Sequence, residues 1–231
     1  MHHTEPVVLT EPVELFDRTA ACRALGLDPA QRHVLINLGG GKIFDGEAAI
    51  ATALEAVHDL GDDWMPVMTR SPLAEERVED ARLTVISVYP IARYFKAFDL
   101  AVAAAGYNSV QESIALGLPT VFVPNRRTVT DDQVRRAREV AEAGLGAYAT
   151  SADQLRRSIG MLAGRLTSGA DGDWPAPPVE PGGAGQAAKV VAARVVERVG
   201  SCWASPDRVF EDGSRTCLDD EHAGHAGKGT R

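Results

Sequence analysis

Short runs of β-branched and other apolar residues alternate along this chain with longer, Ala-rich stretches in which apolar residues recur every three or four positions. The runs "HVLINL" (33–38), "WMPVMT" (64–69), "LTVISV" (83–88), "DLAVAAA" (99–105), "PTVFVP" (119–124) and "GAYAT" (146–150) predict strands. Between and after them, Glu47–Leu60, Ile91–Ala97, Ser109–Leu116, Asp132–Ala143 and Ala152–Leu162 predict helices. Strands that are apolar throughout must be buried on both faces, and helices that separate them supply the cover. The fold class expected is therefore α/β, with a doubly wound, mostly parallel sheet.

The same pattern marks the boundaries. Residues 1–32 read as a lead-in segment and a first helix, and residues 33–200 as one α/β domain. Within the latter, "TSGADGDWPAPPVEPGGAGQ" (167–186) is a Pro- and Gly-rich loop, after which "AAKVVAARVVERV" (187–199) has the periodicity of one more amphipathic helix. Residues 201–231 are charged and rich in Gly and Ser, without apolar periodicity, and are expected to be a disordered tail. Cys202, Cys217, His222 and His225 in that tail lack any CxxC pair, so no metal site is expected there. With 231 residues, 45% of them hydrophobic, the chain can bury a sizeable core. A formal charge of -8 argues against a nucleic-acid surface. Three widely spaced cysteines fit a reducing compartment. No apolar run approaches the ~20 residues of a membrane helix, and the first residues lack the marks of a signal peptide, so a soluble, cytoplasmic protein is expected.

In a doubly wound sheet the ligand sits beyond the carboxyl ends of the strands, so chemistry is sought in the strand-to-helix loops. The first, "NLGGGKIFDG" (37–46), offers Gly39, Gly40 and Gly41, whose N–H groups can approach a phosphate with no Cβ in the way, then Lys42, with Asp45 a candidate N-cap. Its spacing is neither GxGxxG nor GxxxxGK[ST]. In the second, "AAAGYNSVQE" (103–112), Gly106 permits a turn, and Asn108 and Ser109 can cap the next helix with their N–H groups facing an anion. Glu112, one helical turn beyond Ser109, either recognises vicinal ribose hydroxyls or is an ordinary surface carboxylate. The third loop, "PNRRTVTDDQVRRARE" (124–139), presents Arg126 and Arg127 for phosphate, and Asp131, Asp132 and Gln133 for sugar hydroxyls. Alternatively, these acids only complement the helix dipole, with "RRARE" a solvated face.

Taken in order, "NLGGG", "AFD", "AAGYNSVQE", "GLPTVFVP" and "DDQ" resemble the C-terminal, nucleotide-sugar-binding half of GT-B glycosyltransferases, the group that includes the enzyme adding N-acetylglucosamine to lipid I and the plant UDP-glycosyltransferases. The resemblance implies a Rossmann-like half of a GT-B fold. It also implies that Gly39–Gly41 and Gly106, Tyr107, Asn108 and Ser109 hold the diphosphate, Glu112 the ribose, the backbone near Val88 the base, and Asp132 with Gln133 the donor sugar. Where the plant enzymes carry a His beside the diphosphate this chain has Ala104, and its loop from Pro124 to Asp132 is longer, so Arg126 or Arg127 is expected to replace the lost phosphate donor. The donor would be a UDP-linked sugar, with no other cofactor and no metal, and the transfer inverting. The "DGD" at 171–173 lies far from these motifs. No His falls in the three loops, so no catalytic residue is assigned to this chain. The donor half begins close to Met1, so an acceptor-binding, N-terminal-type domain is expected from a partner, as in the eukaryotic pair in which a soluble donor-binding subunit docks on a membrane-bound one. Two other readings remain open: a nucleotide-binding module without catalysis, and a sugar-nucleotide 2-epimerase-like protein.

Overall fold

A computed structural model describes residues 5–39, 46–69, 80–128, 130–168, 174–175 and 182–203. Helix α1 (Arg18–Leu25) starts where the Asp17 carboxylate accepts the Ala20 N–H at 2.8 Å and ends at Gly26, whose φ of 71° is left-handed. Then follow β1 (Arg32–Asn37), α2 (Gly46–His58), β2 (Trp64–Thr69), β3 (Thr84–Ile86), β4 (Leu100–Ala104), α3 (Tyr107–Ala115), β5 (Thr120–Val123), α4 (Gln133–Glu142), β6 (Ala147–Tyr148), α5 (Ala152–Ser168) and α6 (Gly183–Trp203). Residues His3–Ala184 make one compact unit that contains the sheet. A second unit, from Gly185 onward, contains most of α6, which is longer than the 187–199 periodicity predicts. Residues 204–231 of the expected tail lie outside the described residues.

All six strands are parallel, in the order β3-β2-β1-β4-β5-β6. Side chains alternate across the pleat. Val34, Ile36, Leu100, Val102, Val121 and Val123 face α2 and α5, in a cluster with Ala53, Val57, Leu155 and Ile159. On the opposite face Leu35, Val67 and Ala101 meet α1 and the 91–97 segment through Ala21, Leu25 and Phe95. Ala103 and Phe122 meet α3 and α4 through Val110, Ala137 and Val140. Both faces are covered, as strands without polar alternation require.

Further elements differ from the pattern's prediction. Ile91–Ala97 is a 3₁₀ helix, and the burial of Ala92, Phe95 and Phe98 shows why, since a three-residue period suits a 3₁₀ turn better than an α-helix. Helix α5 continues past Leu162 to Ser168, where the sequence turns polar and the apolar signal fades. A further 3₁₀ turn, Pro12–Glu14, was not signalled by apolar periodicity.

At the amino ends of the central strands, the Asp99 carboxylate accepts the His33 N–H at 2.9 Å and pairs with Arg18 at 3.1 Å, while the Asp99 N–H donates to the His33 carbonyl at 2.9 Å. The His33 side chain is buried beside this cluster, and its Nδ1 has no hydrogen-bond partner. Burial, and secondarily the Arg18 charge, hold its pKa below the usual 6.5, with Asp99 opposing. A depressed folded-state pKa means that the unfolded chain binds the proton first, so the contribution of neutral His33 is complete above pH 6.5 and is lost as pH falls from there through the folded value. Thermal melts from about pH 7.5 to about pH 5 should show a decline that is shallower in His33→Leu than in the wild type. Parallel pH profiles for the two proteins would contradict this.

Candidate functional site

In the order β3-β2-β1-β4-β5-β6 the chain reverses its direction of winding between β1 and β4. The loops leaving these two adjacent strands diverge to opposite faces and leave a crevice at their carboxyl ends, where α/β sheets bind ligands. The β1 loop opens with Leu38 and Gly39; Gly39 has φ of 79°, a conformation that favours glycine. Gly40, Gly41, Lys42 and the candidate cap Asp45 lie outside the described residues, and α2 begins at Gly46. Beside it, Asn37 at the end of β1 accepts a hydrogen bond from the Thr69 hydroxyl at 3.1 Å.

The β4 loop departs from expectation in a useful way. Helix α3 begins at Tyr107, and its N-cap is Gly106, with no side-chain cap. Asn108 and Ser109 are therefore in the first helical turn and are not its caps. The expectation failed because glycine is itself an acceptable N-cap, so the Asn-Ser pair was not needed for that task. The outcome is that, among the described residues, no side chain caps the amino end of α3, and the dipole adds partial positive charge there. Gly106 has φ of −63°, which any residue can adopt, and a Cβ added to it would meet nothing within 4 Å. Its contribution is open space in front of those amides rather than a special turn. Tyr107 and Asn108 are exposed, and Ser109 is half-buried.

Glu112 is half-buried on the same helix, and its Oε1 accepts the Leu9 N–H at 3.4 Å. Burial pushes its pKa up from 4.5, and the Leu9 hydrogen bond only partly opposes this. The carboxylate thus rests in a site that desolvates it, with one long hydrogen bond in return. Val88, two residues past β3, packs against the cluster of α1 and the 91–97 segment.

The β5 loop is internally ordered. Asp132 is the N-cap of α4, its carboxylate accepting the Arg135 N–H at 3.0 Å. Gln133 uses its Oε1 to accept the Asn125 N–H at 2.9 Å and its Nε2 to donate to Asp131 at 3.2 Å. Asp131 is also paired with Arg136, which holds its carboxyl below the usual range. Arg126 and Arg127 are exposed and line a cleft of about 560 Å³ together with Ala48 and Ala49 from the first turn of α2, and Ser151 before α5. Both arginines are thereby brought to the start of the helix that follows the glycine loop. Arg136 is the site residue that the sequence pattern did not single out, because it falls in a run of arginines that reads as a solvated face. Among the described residues no group of three or more His, Cys, Asp or Glu is placed to hold a metal ion, and no helix is long and apolar enough to cross a membrane. Cys202 lies in α6, and Cys217, His222, His225 and the "DGD" at 171–173 lie outside the described residues.

A six-stranded parallel sheet with its winding reversal between β1 and β4, a glycine-opened loop and an uncapped helix at that point define a Rossmann-like half of a GT-B fold. The chain belongs to the family described as the glycosyltransferase family 28 C-terminal domain, whose model matches residues 45–160. It is 31% identical over 146 residues to the UDP-N-acetylglucosamine--N-acetylmuramyl-(pentapeptide) pyrophosphoryl-undecaprenol N-acetylglucosamine transferase of Cutibacterium acnes, covering 59% of this chain and 38% of the relative. The protein of the same name from a Nocardioides species is 32% identical over 142 residues, covering 59% and 39%. The chain thus spans well under half the length of these curated relatives. Among solved structures, Acinetobacter baumannii MurG superposes with a TM-score of 0.53 at 18% identity over 84% of this chain and 57% of that one, which is a likeness of fold.

The raised pKa of Glu112 gives a test of its apo state. A group whose folded pKa is raised stabilises the fold below its unfolded pKa, and that stability is lost as pH rises through the folded value. At neutral pH the ionised Glu112 therefore costs stability, and Glu112→Gln should melt at a higher temperature than the wild type, with the difference vanishing as pH falls toward 4.5. A variant that melts lower at neutral pH would mean that the Leu9 contact outweighs the burial.

Proposed function

We propose that this domain binds a UDP-linked sugar and serves as the donor side of an inverting, metal-independent glycosyl transfer. The observation that supports the reading is the amino end of α3, which has no side-chain cap and follows β4, whose end lies beside the end of β1 at the winding reversal. Amides at such a helix end, with open space where Gly106 has no Cβ, suit a diphosphate. In this reading Gly39–Gly41 and Lys42, with Gly106 and Tyr107–Ser109, take the diphosphate, while Arg126 and Arg127, at the cleft beside α2, neutralise it further. Glu112 exchanges its single long bond from Leu9 for two ribose hydroxyls, which relieves its desolvated charge. The Val88 backbone meets the base, and the exposed Asp132 and the Gln133 amide meet the sugar. The names of the relatives, which specify UDP-N-acetylglucosamine as donor, support uridine as the base.

The transfer is a single displacement. An acceptor hydroxyl oxygen bonds to the anomeric carbon as the bond from that carbon to the diphosphate oxygen breaks, and the nucleoside diphosphate departs with its charge met by helix amides and arginines. The hydroxyl proton needs a base. The two described histidines of the sheet unit lie elsewhere, His33 at the amino end of β1 and His58 at the end of α2. In this reading the base and the acceptor site come from an N-terminal-type domain facing these loops, on a partner that can be membrane-associated. Orientation of acceptor against donor then accounts for much of the rate.

Calorimetry of the chain against UDP, UDP-N-acetylglucosamine and the corresponding thymidine and guanosine nucleotides tests the reading directly. Uridine nucleotides should bind, and Glu112→Ala should lose ~1–3 kcal/mol of that affinity, the scale of hydrogen bonds to a charged group. Failure of the wild type to bind any nucleoside diphosphate would overturn the reading. Unchanged affinity in a folded Glu112→Ala would remove Glu112 from the ribose.

A further inference from the structure

Arg136 lies on α4, yet its guanidinium reaches two other segments. Its Nη1 donates at 2.9 Å to the carbonyl of Ala105, the residue immediately before Gly106. Its Nη2 pairs with Asp131, and its Cζ stands 5.7 Å from the centroid of the Tyr107 ring. Asp131 in turn receives the Gln133 amide at 3.2 Å, and the same amide's oxygen takes the Asn125 N–H at 2.9 Å. A continuous chain of polar contacts therefore runs from the turn before α3, through Arg136, Asp131 and Gln133, to the start of the β5 loop. The Arg136 and Asp131 side chains are 23% and 32% exposed, so these contacts are partly shielded from water, and together they favour one geometry. A planar fork serves a carbonyl and a carboxylate in two fixed directions while lying against a ring, whereas a lysine ammonium, a compact point charge on a flexible stem, does not hold that geometry.

We propose that Arg136 is a positioning residue that locks the turn before α3 to the loop before α4, so that the diphosphate and the sugar of a bound donor are gripped as one unit. This rests on the donor-binding reading above. The peptide between Ala105 and Gly106 leads directly into the amides assigned to the diphosphate, and Arg136 fixes its carbonyl. Through Asp131 the same side chain sets the orientation of Gln133, which is assigned to the sugar. Occupation of the α3 turn is thus transmitted to the β5 loop even by a ligand that has no sugar.

The experiment uses the full chain and UDP as the probe, with amide hydrogen exchange read residue by residue. In the wild type, saturating UDP should protect Tyr107–Ser109 directly and should slow exchange at Asn125 by roughly tenfold, the scale of coupling between residues in one network. In Arg136→Gln the protection of Tyr107–Ser109 should persist while the UDP-dependent change at Asn125 disappears, and Asp131→Asn should behave alike. Arg136→Lys, which retains the charge, should fail to rescue the response and also keeps the test open should the glutamine variant not fold. A residue with a merely structural role would alter Asn125 exchange equally with and without UDP. An unchanged UDP response at Asn125 in folded Arg136 variants overturns the coupling alone. Absence of UDP binding by the wild type overturns the donor reading and the coupling with it.

Discussion

The pairing of β1 with β4 is the constraint on which the rest of this domain depends. The sheet winds outward in opposite directions from this pair, and the register Val34↔Leu100 to Asn37↔Ala103 sets the end of one strand beside the end of the other. Asp99 secures the register from below through the bonds that its N–H and its carboxylate make to the His33 backbone and through its pairing with Arg18. A slip of one residue would exchange Leu35 and Ala101 with their neighbours across the pleat and turn the wrong set of side chains to each layer. It would also shift the end of β1 relative to the amino end of α3. Stability and site geometry thus share one cause, set about 13 Å from the strand ends by the rise of four strand residues.

Small residues do in this site what polar side chains do in many others. Ala103–Ala105 and Gly106 bring β4 to its end without bulk, and Gly106 leaves α3 uncapped. A serine or aspartate at that position would satisfy an amide and stabilise the isolated helix by roughly a few tenths of a kcal/mol. It would also fill the space that the donor reading gives to a diphosphate. The same logic applies to Glu112, whose burial costs energy while its only described partner is one long bond from Leu9. Functional sites commonly retain such unspent interactions, since a group already satisfied by its own protein has little to offer a ligand.

Much of this was legible in the residues because the signals were local. Every predicted strand is present, since an apolar run such as "TVFV" between prolines has no reasonable place but the interior of a parallel sheet. The bounds of α4 were legible from their own short segment, expected at Asp132–Ala143 and found at Gln133–Glu142. What escaped depends on distant partners. Arg136 reads as one of several surface arginines until Ala105, 31 residues away, is brought beneath it. Glu112 reads as surface or ribose-facing until Leu9, 103 residues away, is laid over it. The assignment of Asn108 and Ser109 as caps failed for a different reason: residue preference ranks candidates for a cap, whereas the backbone chooses where the helix begins, and here it began one residue past a glycine.

The three ligand loops differ in what holds them, and this bears on how a donor would be met. The turn before α3 and the loop before α4 are tied to each other by half-buried, charge-assisted bonds, and the latter also carries its own internal bonds from the Arg127 N–H to the Asn125 side chain and from the Thr128 hydroxyl to the Asp131 carbonyl. Such loops have paid their ordering entropy in folding and need little rearrangement on binding, which favours affinity through preorganisation. Arg126 and Arg127, by contrast, project from the tip of the same loop with their side chains exposed at the cleft beside α2. A long exposed cation such as Arg126 on a rigid base can follow an anion's position without disturbing the loop that carries it. In the donor reading proposed above the arrangement separates two tasks: the backbone of the α3 turn and the Gln133 side chain would define where a donor sits, and Arg126 would adapt to its charge.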